Sequence, residues 1–78
     1  MEYDTDKVDE ATLALLYLNL FEDRWSARAW KGMPWEAMDR LHEKGLVGDP
    51  KSKAKSVVLT EEGRIAAEEA YQKLFTSP

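Results

Sequence analysis

The residues able to do chemistry in this 78-residue chain are few and scattered. His42 is the single histidine, and Asp39 and Glu43 stand near it at spacings that could turn one imidazole and two carboxylates toward a cation. One imidazole with carboxylates on a solvated helix face is a weak metal site, and an ordinary, partly exposed histidine is the simpler reading. Glu61 and Glu62 are adjacent carboxylates, but at a helix start they answer the helix dipole rather than form an acid–base pair. The sequence has no glycine-rich phosphate loop and no nucleophile–histidine pairing, and with no cysteine it has no disulfide or thiolate metal site. These patterns describe a non-enzymatic protein without a metal or cofactor.

What remains is chemistry of surfaces. The net charge of -4 is unevenly distributed. Residues 1–23 and 60–78 are acidic, whereas Arg24, Arg28 and Lys31 form one basic stretch and Lys51, Lys53 and Lys55 another. A segregated acidic protein can still turn a positive side toward phosphates. Alternating lysines on a turn are equally the kind of solvated surface that discourages edge pairing. Trp25, Trp30 and Trp35 fall within eleven residues and suggest a ligand cage. A small domain can also use such rings for core or interface area, and that is the expectation here.

The elements that position these groups follow from size and periodicity. A chain this short forms one domain, spanning 1–78, and buries only roughly 60–65% of its unfolded surface. Its 44% hydrophobic and 33% charged composition is that of a folded soluble protein. The acidic start, MEYDTDKVDE, does not read as a secretory signal. The longest nearly apolar run, Ala11 to Phe21, is eleven residues, too short for a membrane span. A cytoplasmic protein is expected.

The first helix is expected near Asp6, with Val8, Ala11, Leu15 and Leu18 as its core stripe. Leu13, Leu16, Tyr17, Leu20 and Phe21 carry apolar character most of the way round, so part of this helix is expected to meet another chain. Residues 22–33 read either as a continuation of that helix or as a short strand at Ala29-Trp30-Lys31 ended by Gly32. Pro34 opens a second helix, with Ala37, Met38 and Leu41 inward and Glu36 spaced to pair with Arg40. Gly45 ends it in the left-handed conformation, folding Leu46 back on Leu41.

Leu46-Val47 and Val57-Val58-Leu59 then form a hairpin around Gly48-Asp49-Pro50 and the lysines. Thr60 caps a last helix, and Gly63 lets its start approach neighbouring backbone. The predicted core is Leu15, Leu18, Met38, Leu41, Leu46, Val58, Leu59, Ala67, Ala70 and Leu74.

The succession of helix, K-G-L-V, turn, V-V-L-T-E-E-G-R and closing helix resembles the recognition helix, wing and C-terminal helix of bacterial winged-helix regulators. More closely, Ala29-Trp30-Lys31-Gly32, Met38 through Leu46 and Lys53 through Gly63 resemble a family of short uncharacterised bacterial proteins, known only as a domain of unknown function. The resemblance implies an α+β, winged-helix-like domain of three main helices, a β-hairpin wing and a candidate third strand, and it implies no activity. No separate helix is legible between Phe21 and Pro34, so the helix-turn-helix is incomplete.

Two binding roles follow. In the first, the domain is a protein-interaction module or homodimer, with Leu13, Tyr17, Leu20, Trp25 and Trp30 at the contact. In the second, it is a winged-helix DNA-binding regulator whose contacts are Arg28, Lys31, Arg40, Lys51, Lys53 and Lys55. The first is preferred, because Glu36, Asp39 and Glu43 would meet the phosphates beside Arg40 and be repelled.

Overall fold

The structure, a computed structural model, describes residues 3–22, 27–30, 32–51 and 54–76. Within these, three helices and a small antiparallel sheet follow in the order α1 (Thr5–Leu18), β1 (Phe21–Glu22), β2 (Ala27–Trp30), α2 (Trp35–Glu43), β3 (Ser56–Leu59) and α3 (Glu61–Phe75). The α+β class expected from the sequence is the one observed.

Helix α1 begins earlier than Asp6. Asp4 Oδ1 accepts from the backbone N–H of Asp6 at 3.0 Å and of Lys7 at 3.2 Å, satisfying donors that a helix start leaves open. The larger correction concerns its face. Leu13, Ala14 and Leu16 are buried together with Asp9 and Thr12, while the expected core residues Leu15 and Leu18 are 39% and 57% exposed. Two apolar stripes compete on this helix, and the inward one carries a carboxylate at its head. Thr12 is satisfied within the helix, its hydroxyl donating to Val8 O at 2.8 Å.

The sheet has the order β1-β2-β3. Phe21 pairs with Arg28, and β2 runs antiparallel to β3 with Ala27 opposite Leu59, Arg28 opposite Val58, Ala29 opposite Val57 and Trp30 opposite Ser56. The strand expected at 29–31 is thus Ala27–Trp30, with Lys31 outside the described residues, and β1 was not foreseen. The expected hairpin contracts to one bridge between Val47 and Leu59, extended by Gly48 N–H donating to Val58 O at 2.7 Å. It stops there because Asp49 turns the chain, accepting from Lys51 N–H at 2.8 Å, and Pro50 has no N–H to offer a ladder. Strand period places Val57 and Leu59 inward, so Val58, expected in the core, lies half-buried on the other face.

Helix α2 starts one residue after Pro34 and buries Ala37, Met38 and Leu41 as expected. Its end matches the sequence reading closely. Gly45 has φ +76°, its N–H donates to His42 O at 3.0 Å, and Leu46 N–H reaches back to Leu41 O at 3.0 Å. The start of α3 is fastened to this turn. Thr60 Oγ1 accepts from Gly63 N–H at 2.9 Å and donates to Gly45 O at 2.7 Å, while Thr60 N–H donates to Leu46 O at 3.0 Å. A Cβ on Gly63 would stand 1.8 Å from Leu46 O, so this position excludes every side chain.

Ala67 and Ala70 of α3 pack inward against α1 and the rest of the core. Leu74, expected with them, is exposed: it falls in the last turn, at the rim marked by the Lys73–Glu10 ion pair of 3.1 Å. Leu46 is half-buried against the core.

Candidate functional site

Two surfaces and one buried cluster carry the groups that packing does not explain. The first surface is the outward side of α1. Val8 and Ala11 are half-buried and Leu15 and Leu18 exposed, so the stripe expected to face the core faces outward. At the seam with α3, the rings of Tyr17 and Tyr71 lie 4.9 Å apart, and Tyr71 meets Phe75 edge-on at 6.2 Å. Phe75 and Leu74 are exposed at the end of that row.

Of the contact residues proposed from sequence, Leu13 is only 7% exposed and belongs to the core; it lies on the same inward face as Leu16 and is not available to a partner. Tyr17 and Leu20 are half-buried and pack against the core edge. Trp25 lies outside the described residues. Leu15, Leu18 and Phe75 take the exposed positions instead. Their signal was present as the Val8–Leu18 spacing, but it was assigned to the wrong side.

The second surface is the outer face of the sheet. Residues directly opposite one another in an antiparallel pair project to the same side. Phe21, Arg28 and Val58 therefore form one row, and Trp30 with Ser56 the next. The rings of Phe21 and Trp30 meet diagonally, their centroids 5.4 Å apart. Arg28 is held there too: its Nε donates to Ser56 Oγ at 2.7 Å and its Nη2 to Ser56 O at 3.1 Å. Trp30 is 54% exposed and Trp35 is exposed as well, so of the two uses expected for these rings, core or interface area, neither ring takes the first. Strand alternation turns Trp30 away from the side of buried Ala29, and Trp35 opens α2 ahead of its buried residues Ala37, Met38 and Leu41.

The buried cluster centres on Asp9, which is 2% exposed. Arg40 Nε donates to its two oxygens at 2.9 and 3.0 Å, Arg40 Nη2 lies 2.8 Å from Oδ1, and Lys44 Nζ lies 3.1 Å from Oδ2. Burial by itself would raise the Asp9 pKa, but the hydrogen bonds and charges of Arg40 and Lys44 outweigh it and hold the carboxyl below its ordinary range. Arg40 is pushed the other way, above its ordinary value, by its bond to Asp9.

This corrects the place of Arg40 as a nucleic-acid contact. Its guanidinium is spent on Asp9 rather than offered to a groove. Sequence reading missed Asp9 because an acid near a helix start has a ready explanation in the dipole. The available signal was its position one turn before Leu13 on the second apolar stripe.

Among the other proposed nucleic-acid contacts, Arg28 lies on the strand beside β3, and Lys51 and Lys55 are exposed on the connection leading into β3. Lys31 and Lys53 lie outside the described residues. A cleft of about 310 Å³ opens between α1, α2 and α3, lined by Asp6, Asp9, Glu10, Lys44 and Lys73 around Leu13 and other apolar groups. Glu69 lines it too; Lys44 pairs with Asp9 and Lys73 with Glu10, while Asp6 stands 4.0 Å from Lys44. These pairs tie α1 to α2 and to α3.

His42 is exposed, with Nδ1 3.1 Å from Val47 O. Among the described residues, no three His, Asp or Glu side chains group as metal ligands, and no helix is long and apolar enough to cross a membrane.

A family model described as a domain of unknown function, DUF6429, matches residues 4–77. The chain belongs to this family. It is also 54% identical over 76 residues to the uncharacterised protein y4hR of Sinorhizobium fredii (strain NBRC 101917 / NGR234), an alignment covering 97% of this chain and 99% of that protein. The near-equal lengths agree with the short uncharacterised bacterial family that the sequence resembles. No solved structure matches the chain.

Proposed function

We propose that this DUF6429 chain is a non-enzymatic interaction module that pairs with a second copy of itself through the outward side of α1, with the cytoplasm as its setting. One observation carries this reading: Leu15 and Leu18 are exposed at helical spacing on a helix whose other side already supplies the core. Full burial of a leucine side chain is worth about 1.5–3 kcal/mol, so a second copy covering both residues gains enough to offset part of the cost of association. Val8 and Ala11 extend the stripe.

The scaffold supports a winged-helix-like interpretation in part. A helix, two strands, a second helix, a bridged segment, a strand and a closing helix follow one another; the part from α2 onward is compatible with it, while the stretch between α1 and α2 supplies β1 and β2 where a further helix would be needed. Duplex reading by α2 has less support. That helix offers Glu36, Asp39 and Glu43 to solvent or its margin and commits Arg40 to Asp9.

Analytical ultracentrifugation at micromolar concentration tests the proposal. The native chain should sediment as a dimer, and Leu18→Glu should convert it to a folded monomer. A native chain that stays monomeric at tens of micromolar, or a Leu18→Glu variant that remains dimeric, refutes the assignment.

A further inference from the structure

The outer face of the sheet has a different character from α1. It combines two exposed rings with a fixed guanidinium. Trp30 is buttressed by Phe21 at 5.4 Å, with the ring planes tilted 42°, so its orientation is held without its face being covered by the core. Arg28 reaches along the same face to Ser56, the residue directly across from Trp30. Its positive charge is thereby held on the face of the sheet that carries the indole. Lys55 is exposed immediately before Ser56, the residue paired with Trp30. The acid of β1, Glu22, pairs with Ala27 and alternates to the opposite face.

We propose that this face binds single-stranded nucleic acid, with an unpaired base stacked on Trp30 and the adjoining phosphates drawn to Arg28 and Lys55. An aromatic ring next to cations is the general means by which unpaired strands are held, because every base has a stackable face and every link carries a negative charge. The charge on this face selects an anionic ligand over a neutral proline-rich peptide, which would need the rings but not the guanidinium. The rings select single strands over duplex, whose base faces are already occupied by neighbours. Arg28 can contribute both as a phosphate partner and by stacking its guanidinium plane on a base. This site is separate from the α1 contact and does not depend on it.

Fluorescence anisotropy of a labelled thymidine oligonucleotide at low salt tests the proposal on the full chain. Saturable binding is expected at a dissociation constant on the order of 10⁻⁴ to 10⁻⁶ M, weakening as salt rises. Trp30→Ala should weaken it at least about fivefold, the lower bound for losing one stacked base, and Trp30→Phe should restore most of it. Arg28→Gln should lower the slope of log affinity against log salt by about 0.7, the value for one phosphate on a single strand. Leu18→Glu should leave binding unchanged, which separates this outcome from the fate of the α1 contact.

The proposal is overturned if the native chain does not bind the oligonucleotide at low salt. It is overturned equally if Trp30→Ala, shown to be folded by circular dichroism, binds as the parent does, or if a duplex of the same length binds as tightly. Loss of self-association in Trp30→Ala without any oligonucleotide binding would give this face to a second copy instead.

Discussion

Replacing Asp9 by asparagine should show how much the fold rests on one carboxylate. Asparagine keeps the size of the side chain and removes its charge. In the native chain the carboxylate is 2% exposed and receives Arg40 at 2.9 and 3.0 Å and Lys44 at 3.1 Å. Removing one partner of a fully buried pair costs about 3–5 kcal/mol. That figure is an upper bound here, because the Arg40 and Lys44 side chains are 26% and 46% exposed and can recover water. A hydrogen bond to a charged group is worth about 1.5–3 kcal/mol, so a loss of about 2 kcal/mol is expected for Asp9→Asn.

The pH dependence follows from the lowered pKa of Asp9. Its carboxylate binds protons less readily when folded than when unfolded. Its stabilising contribution is therefore complete above the unfolded value of about 3.9 and declines as pH falls through the lower folded value. Urea unfolding at neutral pH and at a series of acid pH values should show the native advantage over Asp9→Asn constant near neutrality and shrinking below about pH 4. A difference under about 0.5 kcal/mol at neutral pH, within the range of a neutral surface change, refutes the reasoning. So does a difference that stays constant to the lowest pH at which both proteins fold.

Gly63→Ala should destabilise by about 3 kcal/mol or more, beyond ordinary overpacking, because its Cβ would overlap Leu46 O at 1.8 Å and part the start of α3 from the end of α2; chemical denaturation reads this directly. Leu41→Ala should cost about 2–5 kcal/mol, since Leu41 is fully buried, whereas Leu18→Ala should change the stability of the monomer by less than about 0.5 kcal/mol. Equal melting of those two variants would mean that the inward and outward assignments are wrong. Gly45→Ala should cost about 1 kcal/mol through its φ of +76°, and Gly45→Asn less; thermal melts that leave all three proteins alike would remove the left-handed turn from the account.

Local chemistry in the second half of the chain was legible because each signal is spent within a few residues. Gly45 can be read as a left-handed stop, Thr60 as a cap and Gly63 as a close approach, and each has the geometry its residue type suggests. Met38, Leu41, Ala67 and Ala70 lie on the main apolar stripe of their helices, and they are buried. Helix α1 differs because both of its sides are apolar. Periodicity there finds two stripes and has no means of ranking them. β1 is two residues long, below what alternation can reveal, and the choice between Val57 and Val58 depends on a register set by β2 rather than by the turn. Whether Trp30 and Trp35 are core or surface rings stayed open for a similar reason, since a ring's residue type does not say whether the small core has room for it.

The rotation of α1 has a physical cause that connects the buried cluster to the exposed stripe. Arg40 and Lys44 lie 31 and 35 residues beyond Asp9 in sequence, so no local pattern joins them. In the folded chain they make the two sides of α1 unequal. With Asp9 inward, the carboxylate meets two cations and Leu13 and Leu16 fill the core. With Leu15 and Leu18 inward, Asp9 would turn toward water and Arg40 would lose the partner that neutralises it. Each side offers two leucines and an alanine, so the ion pair is the difference between them that we propose selects the packing, a use of buried charge that specifies one arrangement rather than adding bulk stability. Selecting the Leu13–Leu16 side also determines what is left over. Val8, Ala11, Leu15 and Leu18 face outward as a consequence, and the same carboxylate that orders the core therefore creates the surface proposed to meet a second copy. Replacing Asp9 by leucine should erase that distinction: the chain should remain helical, but α1 should sample both rotations and dimerisation should weaken. Nuclear magnetic resonance spectra of Asp9→Leu with one sharp, native-like set of Leu15 and Leu18 methyl signals and unchanged self-association would show that packing alone selects the face.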